Sequence, residues 1–214
     1  AIRIVDGQAE IIGLRCINCG NCVKVCSQGA KQVISTIEFV ESLLASDEPV
    51  VALVAPSFAA EFDDIDPSVF VGMLRKLGFE HVQEVAFGAD LVADRYRRLL
   101  AENDGKRYIA TTCPALITYV EKYNPELVGN LAPIVSPMIA AALVAKSIYG
   151  NEIKTVFIGP CIAKKQEAVS ERTNGVVDIA ITFVELRKML DDAAINPKTA
   201  KSSDFDPPYA GSGS

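Results

Sequence analysis

The sequence has no tryptophan, a single histidine (His81) and no run of basic residues among its 214 residues. It also has no G-x-G-x-x-G motif and no phosphate-binding loop, which disfavours a flavodoxin-like nucleotide binder. No apolar stretch is long enough to span a membrane, and no signal peptide opens the chain. The net charge is −6. We therefore expect neither a membrane nor a nucleic acid among the partners.

Four of the six cysteines fall within eleven residues, as Cys16, Cys19, Cys22 and Cys26. This C-x2-C-x2-C-x3-C spacing is the bacterial ferredoxin signature of a 4Fe–4S cluster, whose iron prefers thiolate ligands. A zinc site would need two separated C-x-x-C pairs or histidines, and cysteines three apart at a glycine turn rarely reach disulfide geometry. The spacing therefore predicts a 4Fe–4S metal site in a reducing, cytoplasmic setting.

The ligand assignment has two alternatives. In two-cluster ferredoxins the fourth cysteine of each run binds the other cluster. Cys16, Cys19 and Cys22 would then share a cluster with an upstream cysteine, and Cys26 would serve a second cluster. In the simpler alternative all four cysteines bind one cluster. Ser27 stands where that family usually has proline.

The remaining chain alternates strand and helix patterns. A continuous apolar run at 50–54 predicts a strand buried on both faces. Further strands are predicted at 2–5, 9–12, 81–87, 107–111, 153–158 and 177–182, and helices at 34–44, 69–77, 89–102, 114–123, 137–149 and 184–190. The alternation after residue 49 predicts an α/β fold with a parallel, doubly wound sheet.

Four regions follow from this pattern. Residues 1–34 are predicted to form a small ferredoxin-like module (half of a ferredoxin, of α+β type), and residues 35–48 a linker helix. Residues 49–195 are predicted to form the α/β domain. Residues 196–214 lack periodicity and are rich in Ser, Asp, Pro and Gly, which predicts an irregular tail.

Cys113 and Cys161 each follow a predicted strand and precede a helix start. The carboxyl edge of an open parallel sheet is where ligands bind, and helix N-termini stabilise thiolate. Two thiols from adjacent strands would suit a metal cofactor. Position alone equally fits two small buried hydrophobic residues.

Several uncommon sequence motifs resemble those of the di-iron (iron-only) hydrogenases, and they occur in the same order as in that family. They are residues 87–91 (FGADL), 111–115 (TTCPA), 119–127 (YVEKYNPEL), 136–137 (SP) and 157–167 (FIGPCIAKKQE). The resemblance covers about residues 1–210. It implies a ferredoxin-like module feeding a catalytic domain that houses the H-cluster, a 4Fe–4S cube linked to a di-iron unit.

The resemblance also implies roles for individual residues. Cys113 and Cys161 match the first two of the four cysteines that hold the cube, and the other two belong to a later motif. The expected molecule is thus a hydrogenase cut at both ends, with an H-cluster only in a complete, maturated chain. Lys164 matches a lysine that hydrogen-bonds a cyanide of the di-iron unit, and Glu167 matches the first glutamate of a proton relay. Spacing alone would make Lys164 part of a solvated first helical turn.

The sequence departs from the family at the proton-transfer positions. Thr112 replaces a proton-passing cysteine, and a hydroxyl is a poorer acid and base near neutral pH than a thiol. Arg95, Tyr96 and Leu99 occupy the region of a relay glutamate, and Ala132 falls near the relay serine. Met138 stands where the family has the glutamine of a Ser-Pro-Gln motif. Cluster ligation is therefore predicted to be retained while proton delivery is impaired.

Two functions are consistent with this pattern. The first is a slow or sensory hydrogenase that interconverts dihydrogen with protons and electrons. Its expected partners are a redox protein such as ferredoxin and a downstream sensory or signalling domain, and the fragment alone is expected to be inactive. The alternative is a non-enzymatic 4Fe–4S electron carrier or an iron–sulfur assembly protein.

Overall fold

A computed structural model describes residues 1–102 and 105–207. The strands are β1 (Ile2–Val5), β2 (Gln8–Ile11), β3 (Val50–Val54), β4 (His81–Glu84), β5 (Lys154–Gly159) and β6 (Ile179–Thr182). The α-helices are α1 (Asn21–Lys24), α2 (Ile37–Leu44), α3 (Phe58–Glu61), α4 (Pro67–Leu77), α5 (Val85–Ala101), α6 (Pro114–Tyr123), α7 (Pro137–Tyr149), α8 (Ala163–Ala168) and α9 (Phe183–Asp192). In this part of the chain, no helix has the length and apolar character needed to cross a bilayer.

Strands β3 to β6 form a parallel sheet in the order β4-β3-β5-β6. All five residues of β3 are buried, as the continuous apolar run predicts. The chain moves from β3 to β4 on one side and then crosses back to β5 on the other. Because such crossovers are right-handed, the connecting helices lie on opposite faces of the sheet. The prediction of an α/β fold with a parallel sheet is confirmed, and the reversal point lies between β3 and β5.

Aromatic packing fixes one face of the sheet. The Phe70 ring of α4 lies 4.9 Å from Phe58 and 4.8 Å from Phe62, measured between ring centroids. Phe62 in turn meets Phe183 of α9 edge-on at 5.7 Å. These rings join α3, α4 and α9 into one layer, since aromatic pairs at this spacing bury large apolar areas.

Most predicted ends differ from the structure by one or two residues, and the following predictions differ more. The strand predicted at 81–87 ends at Glu84, because Val85, Gly88 and Val92 are buried at helical spacing and extend α5 toward its N-terminus. The strand predicted at 107–111 does not join the sheet. Its only ladder contact in the described chain is a parallel bridge between Ile109 and Leu131. The helix predicted from residue 34 begins at Ile37.

The tail contains no helix or strand over residues 196–207, as predicted, yet it is held firmly. Asp206 occupies both hydrogen-bonding groups of Val82 in β4. Its backbone N–H donates to the Val82 carbonyl at 2.8 Å, and its Oδ2 accepts the Val82 N–H at 2.7 Å. Arg75 of α4 forms an ion pair with the same carboxylate at 3.0 Å. We call residues 201–207 the tail strap; residues 208–214 of the predicted tail lie outside the described chain.

Gly72 of α4 allows the tail strap to lie directly on the helix. A Cβ at this position would lie 1.7 Å from the Lys201 carbonyl oxygen. Gly72→Ala is therefore expected to lower the free energy of unfolding by about 1–3 kcal/mol, as overpacking usually does. Urea unfolding measures the change. Gly129→Ala is the control, since its Cβ would meet nothing within 4 Å. Equal stability of the two variants would contradict the close contact.

Candidate functional site

The N-terminal part begins with an exposed antiparallel hairpin, β1 and β2, in which Ile2 pairs with Ile11. Asp6 and Gly7 make the turn with positive φ angles of 49° and 77°. This conformation is typical of a two-residue hairpin turn. The two strands predicted at 2–5 and 9–12 are present, the second shifted by one residue, and they lead to the cysteine segment, which we define as residues 16–26.

The thiol chemistry of the cysteine segment fits an iron–sulfur cluster. Backbone N–H groups of Ala30 and Gln28 point at Cys26 and lower the pKa of its thiol, and thiolate is the form that binds iron. Cys16, Cys19, Cys22 and Cys26 are all free thiols. Within residues 1–102 and 105–207, no three His, Cys, Asp or Glu side chains are grouped closely enough to hold one metal ion. Binding a cluster would therefore require the cysteine side chains to turn toward a common point.

The cysteine segment docks beside Cys161. Gly20 has φ of 76° and lies so close to Ile162 that a Cβ would come within 2.8 Å of its Cδ1. The positive φ favours glycine here, and a Cβ would displace the end of the Ile162 side chain. The contact brings the loop between Cys19 and Cys22 against the residue that follows Cys161.

The last turn of α6 holds the start of the cysteine segment. Lys122 Nζ donates to the carbonyl oxygens of Gly13 at 3.0 Å and Cys16 at 2.7 Å. The Tyr123 hydroxyl donates to the Arg15 carbonyl at 2.7 Å. Helix α6 thus joins the cysteine segment at one end to Cys113 at the other.

A third anchor holds the chain that leads out of the cysteine segment. Lys165 Nζ contacts Glu185 Oε1 at 2.5 Å and donates to the Ile34 carbonyl at 2.8 Å. The same Glu185 oxygen accepts the Thr36 N–H at 2.9 Å. Burial raises the pKa of Glu185, but hydrogen bonds from Lys165 and from the Thr182 and Thr36 amides outweigh burial and hold it below its usual value.

Cys113 and Cys161 both carry exposed thiols at helix starts, but they arrive by different routes. Cys161 follows β5 at the carboxyl edge of the sheet, as predicted. Cys113 caps the N-terminus of α6 and follows an extended segment that is not part of the sheet. The prediction that adjacent strands deliver both cysteines is therefore wrong for Cys113, because the backbone of residues 107–111 bonds to residues 130–132 and not to the four-stranded sheet.

Lys164 joins two further predicted site residues. Its Nζ lies 2.6 Å from Glu167 Oε2 and 3.4 Å from the carbonyl oxygen of Thr112. Only 12% and 11% of the Lys164 and Glu167 side chains are exposed. Lys164 is thus not a solvated first-turn lysine. Its ammonium is held between Glu167 and the residue that precedes Cys113.

Residues 48–214 match the family model of the iron-only hydrogenase large subunit, C-terminal domain. The chain belongs to this family. The resemblance inferred from the cysteine motifs is therefore confirmed, and this hydrogenase-family chain shares its fold with solved members. One is the HydA1 variant E141A from Chlamydomonas reinhardtii, with 27% identity and a TM-score of 0.67 over 82% of this chain and 51% of that one.

Two curated relatives have different names and roles. The HndD subunit of the NADP-reducing hydrogenase of Solidesulfovibrio fructosivorans is 30% identical over 92% of this chain and 39% of its own length. The cytosolic Fe–S cluster assembly factor NAR1 of Kluyveromyces lactis is 30% identical over 64% of this chain and 29% of its own. The hydrogenase-family chain thus spans less than two-fifths of either relative.

Three positions expected to fall near the family's proton relay, Tyr96, Leu99 and Ala132, lie in one apolar cluster of this hydrogenase-family chain. Ala132 is buried with Val92, Ile134 and Ala140, and the side chains of Tyr96, Leu99 and Tyr108 pack against them. The Tyr96 hydroxyl accepts the Thr111 N–H at 2.8 Å. The residues of this cluster offer apolar groups and a tyrosine hydroxyl bonded to a backbone N–H, where a proton relay would use a carboxylate.

A cavity of about 840 Å³ separates the cysteine segment from the α/β domain. Its walls include Cys16 on one side and Thr111, Ser136 and Glu167 on the other. Ser136 is 2% exposed, and its Oγ lacks a hydrogen-bond partner among the described residues. Sequence analysis missed this serine's burial, because the cavity forms only when the two parts of the chain pack together.

Sequence analysis also missed the anchors Lys122, Thr36 and Glu185. Glu185 had a detectable signal, because Thr182 three residues earlier forms a capping box with it. Lys122 carries no such local signal. Its role depends on carbonyl groups more than 100 residues away in the chain.

Proposed function

We propose that this chain is the cluster-binding part of a slow or sensory iron-only hydrogenase. Residues 1–34 would be a ferredoxin-like module whose 4Fe–4S cluster is held by Cys16, Cys19, Cys22 and Cys26. Residues 49–195 would supply Cys113, Cys161 and Lys164 to the H-cluster of a complete, maturated chain. The observation that carries the proposal is the docking of Gly20 on Ile162, which brings the cysteine segment next to Cys161.

The chain's own residues have defined tasks in this proposal. When bound, the H-cluster supplies the metal chemistry that interconverts dihydrogen with protons and electrons. Cys113 and Cys161 would hold its cube, and Lys164 would donate a hydrogen bond from an ammonium oriented by Glu167. The cysteine segment would deliver electrons. Thr112 would be a weak proton donor and acceptor, because its hydroxyl pKa lies far above neutrality.

The proposed partners follow from the same assignment. An electron-transfer protein such as ferredoxin would exchange electrons with the module in a cytoplasmic, reducing setting. The name of HndD raises NADP as a second electron acceptor in the larger assembly. A downstream sensory or signalling domain would use the slow site as a detector of dihydrogen.

The first test is the iron content of the chain after anaerobic reconstitution. We expect about four irons and four acid-labile sulfides per chain, with the electron paramagnetic resonance of a reduced cubane. Cys19→Ala should remove this signal, because a cube needs its thiolate ligands. Cys113→Ala is the matched control and should retain it. A chain that folds but takes up no iron would contradict the ferredoxin-like assignment.

The second test restores the missing thiol. In a longer, maturated protein, Thr112→Cys is expected to raise the rate of hydrogen evolution at least about tenfold, since a thiol titrates near pH 8.5 and a hydroxyl does not. Thr112→Ser is the matched control and should leave the rate low. Fast hydrogen evolution by the unsubstituted protein would rule out the slow or sensory assignment.

An assembly or electron-carrier function is the alternative. The similarity to NAR1 favours it, and so does the apolar cluster at the relay positions. Infrared spectroscopy of maturated protein separates the two functions. Cyanide bands of a di-iron unit support the hydrogenase, whereas bound iron and sulfide without those bands support the alternative.

A further inference from the structure

Lys122 lies within the stretch 119–127 that resembles the family, but the resemblance assigns it no role. It lies in the last turn of α6, nine residues after Cys113, and its side chain reaches back across the chain to the cysteine segment. Its ammonium donates to two carbonyl oxygens, those of Gly13 and Cys16. These two hydrogen bonds, to carbonyl groups three residues apart, hold the ammonium beside Cys16, the first cysteine of the motif.

The positive charge of Lys122 is not neutralised by a neighbouring carboxylate. Within residues 1–102 and 105–207, Lys122 forms no ion pair, and the adjacent Glu121 pairs instead with Arg172. Lys122 is exposed, so solvent and salt screen its field, but the two carbonyl contacts hold the charge beside the first cysteine of the segment.

A fixed cation at this place has a direct electrostatic consequence. A 4Fe–4S cluster with four thiolate ligands is anionic, and one-electron reduction adds a further negative charge without making or breaking a bond. A nearby cation stabilises the reduced form more than the oxidised form and so raises the reduction potential. The hydrogen bond to the Cys16 carbonyl also holds the backbone that orients this ligand.

We propose that Lys122 is a positioning residue that raises the reduction potential of the cluster on the cysteine segment. Helix α6 begins after Cys113 and carries Lys122 in its last turn. It would thus influence the potential at which the cluster passes electrons to the neighbouring site. This inference rests on the proposed function, because it requires that Cys16, Cys19, Cys22 and Cys26 hold a cluster.

The test is a redox titration of the reconstituted chain, followed by the electron paramagnetic resonance of the reduced cluster. At a fixed potential, Lys122→Met is expected to lower the ratio of reduced to oxidised cluster about tenfold, which is about 59 mV for a one-electron couple. Lys122→Arg retains the charge and should remain within about twofold of the unsubstituted chain. A purely structural role would not produce this dependence on charge.

Two further variants complete the test. Lys122→Gln keeps hydrogen-bond donors without the charge, and it should match Lys122→Met. Lys198→Met removes a positive charge from the tail, where only its backbone N–H contacts Asn196, and it should leave the titration unchanged. If Lys122→Gln and Lys122→Met bind the cluster but titrate like the unsubstituted chain, this inference is overturned and the proposed function stands. Absence of iron from the unsubstituted chain would overturn the proposed function and this inference with it.

Discussion

Phe70→Ala is expected to lower the free energy of unfolding by about 3–5 kcal/mol, the usual cost of removing a fully buried aromatic ring. Phe70 is 0% exposed, stacks on Phe58 and packs at a tilt against Phe62. Its loss would leave a cavity bounded by α3, α4 and the sheet, where rings from separate elements cannot all move inward. Chemical denaturation followed by circular dichroism measures the change.

Phe39→Ala is the matched control for this prediction. Phe39 lies in α2 but is 54% exposed. Its truncation should change the free energy of unfolding by no more than about 0.5 kcal/mol, as for most surface substitutions. A similar loss in both variants would show that the ring cluster does not organise the core.

Lys165→Met is expected to cost about 3 kcal/mol of folding free energy. The substitution leaves the Glu185 carboxylate, 11% exposed, without its cation. Removing one partner of a buried ion pair is costly because the remaining charge stays desolvated. Lys154→Met removes one partner of a more exposed pair with Glu48 and should cost clearly less. Equal losses would contradict the burial of the Lys165 pair.

The pH dependence of this pair has a definite sign. Because the folded-state pKa of Glu185 is lowered, its contribution to stability is complete above the unfolded value of about 4.3 and is lost as pH falls through the folded value. In Lys165→Met, burial still raises the pKa of Glu185, but the Lys165 ammonium no longer lowers it. The stability difference between the two proteins should therefore shrink below about pH 4.

The parts of the fold that local patterns control were predictable. The apolar run of β3 falls where the sequence places it, and the helix predicted at 69–77 is present as α4, which begins two residues earlier at Pro67. The segment at 107–111 has a strand-like pattern, but among the described residues its backbone pairs only with residues 130–132. Strand formation depends on a partner that a single segment does not encode.

The candidate site divides in the same way. The ligand-type cysteines and Thr112 are visible in the sequence, since metal binding and proton transfer require particular residue types at particular spacings. The contact of Gly20 with Ile162 and the reach of Lys122 to Cys16 are not visible there. They join residues more than 100 positions apart, and only the packed chain shows that the cysteine segment is held by the same elements that carry Cys113 and Cys161.

The tail strap has a consequence for how copies of this chain meet one another. β4 is an outer strand of the parallel sheet, and Asp206 occupies both the N–H and the C=O of Val82. An unprotected outer strand is a template on which a second molecule can add a strand, and this is a common start of aggregation. Because the tail strap bonds to Val82, another molecule cannot pair with β4 at that residue. A chain shortened before residue 201 should therefore precipitate at concentrations where the chain with the tail strap stays monomeric.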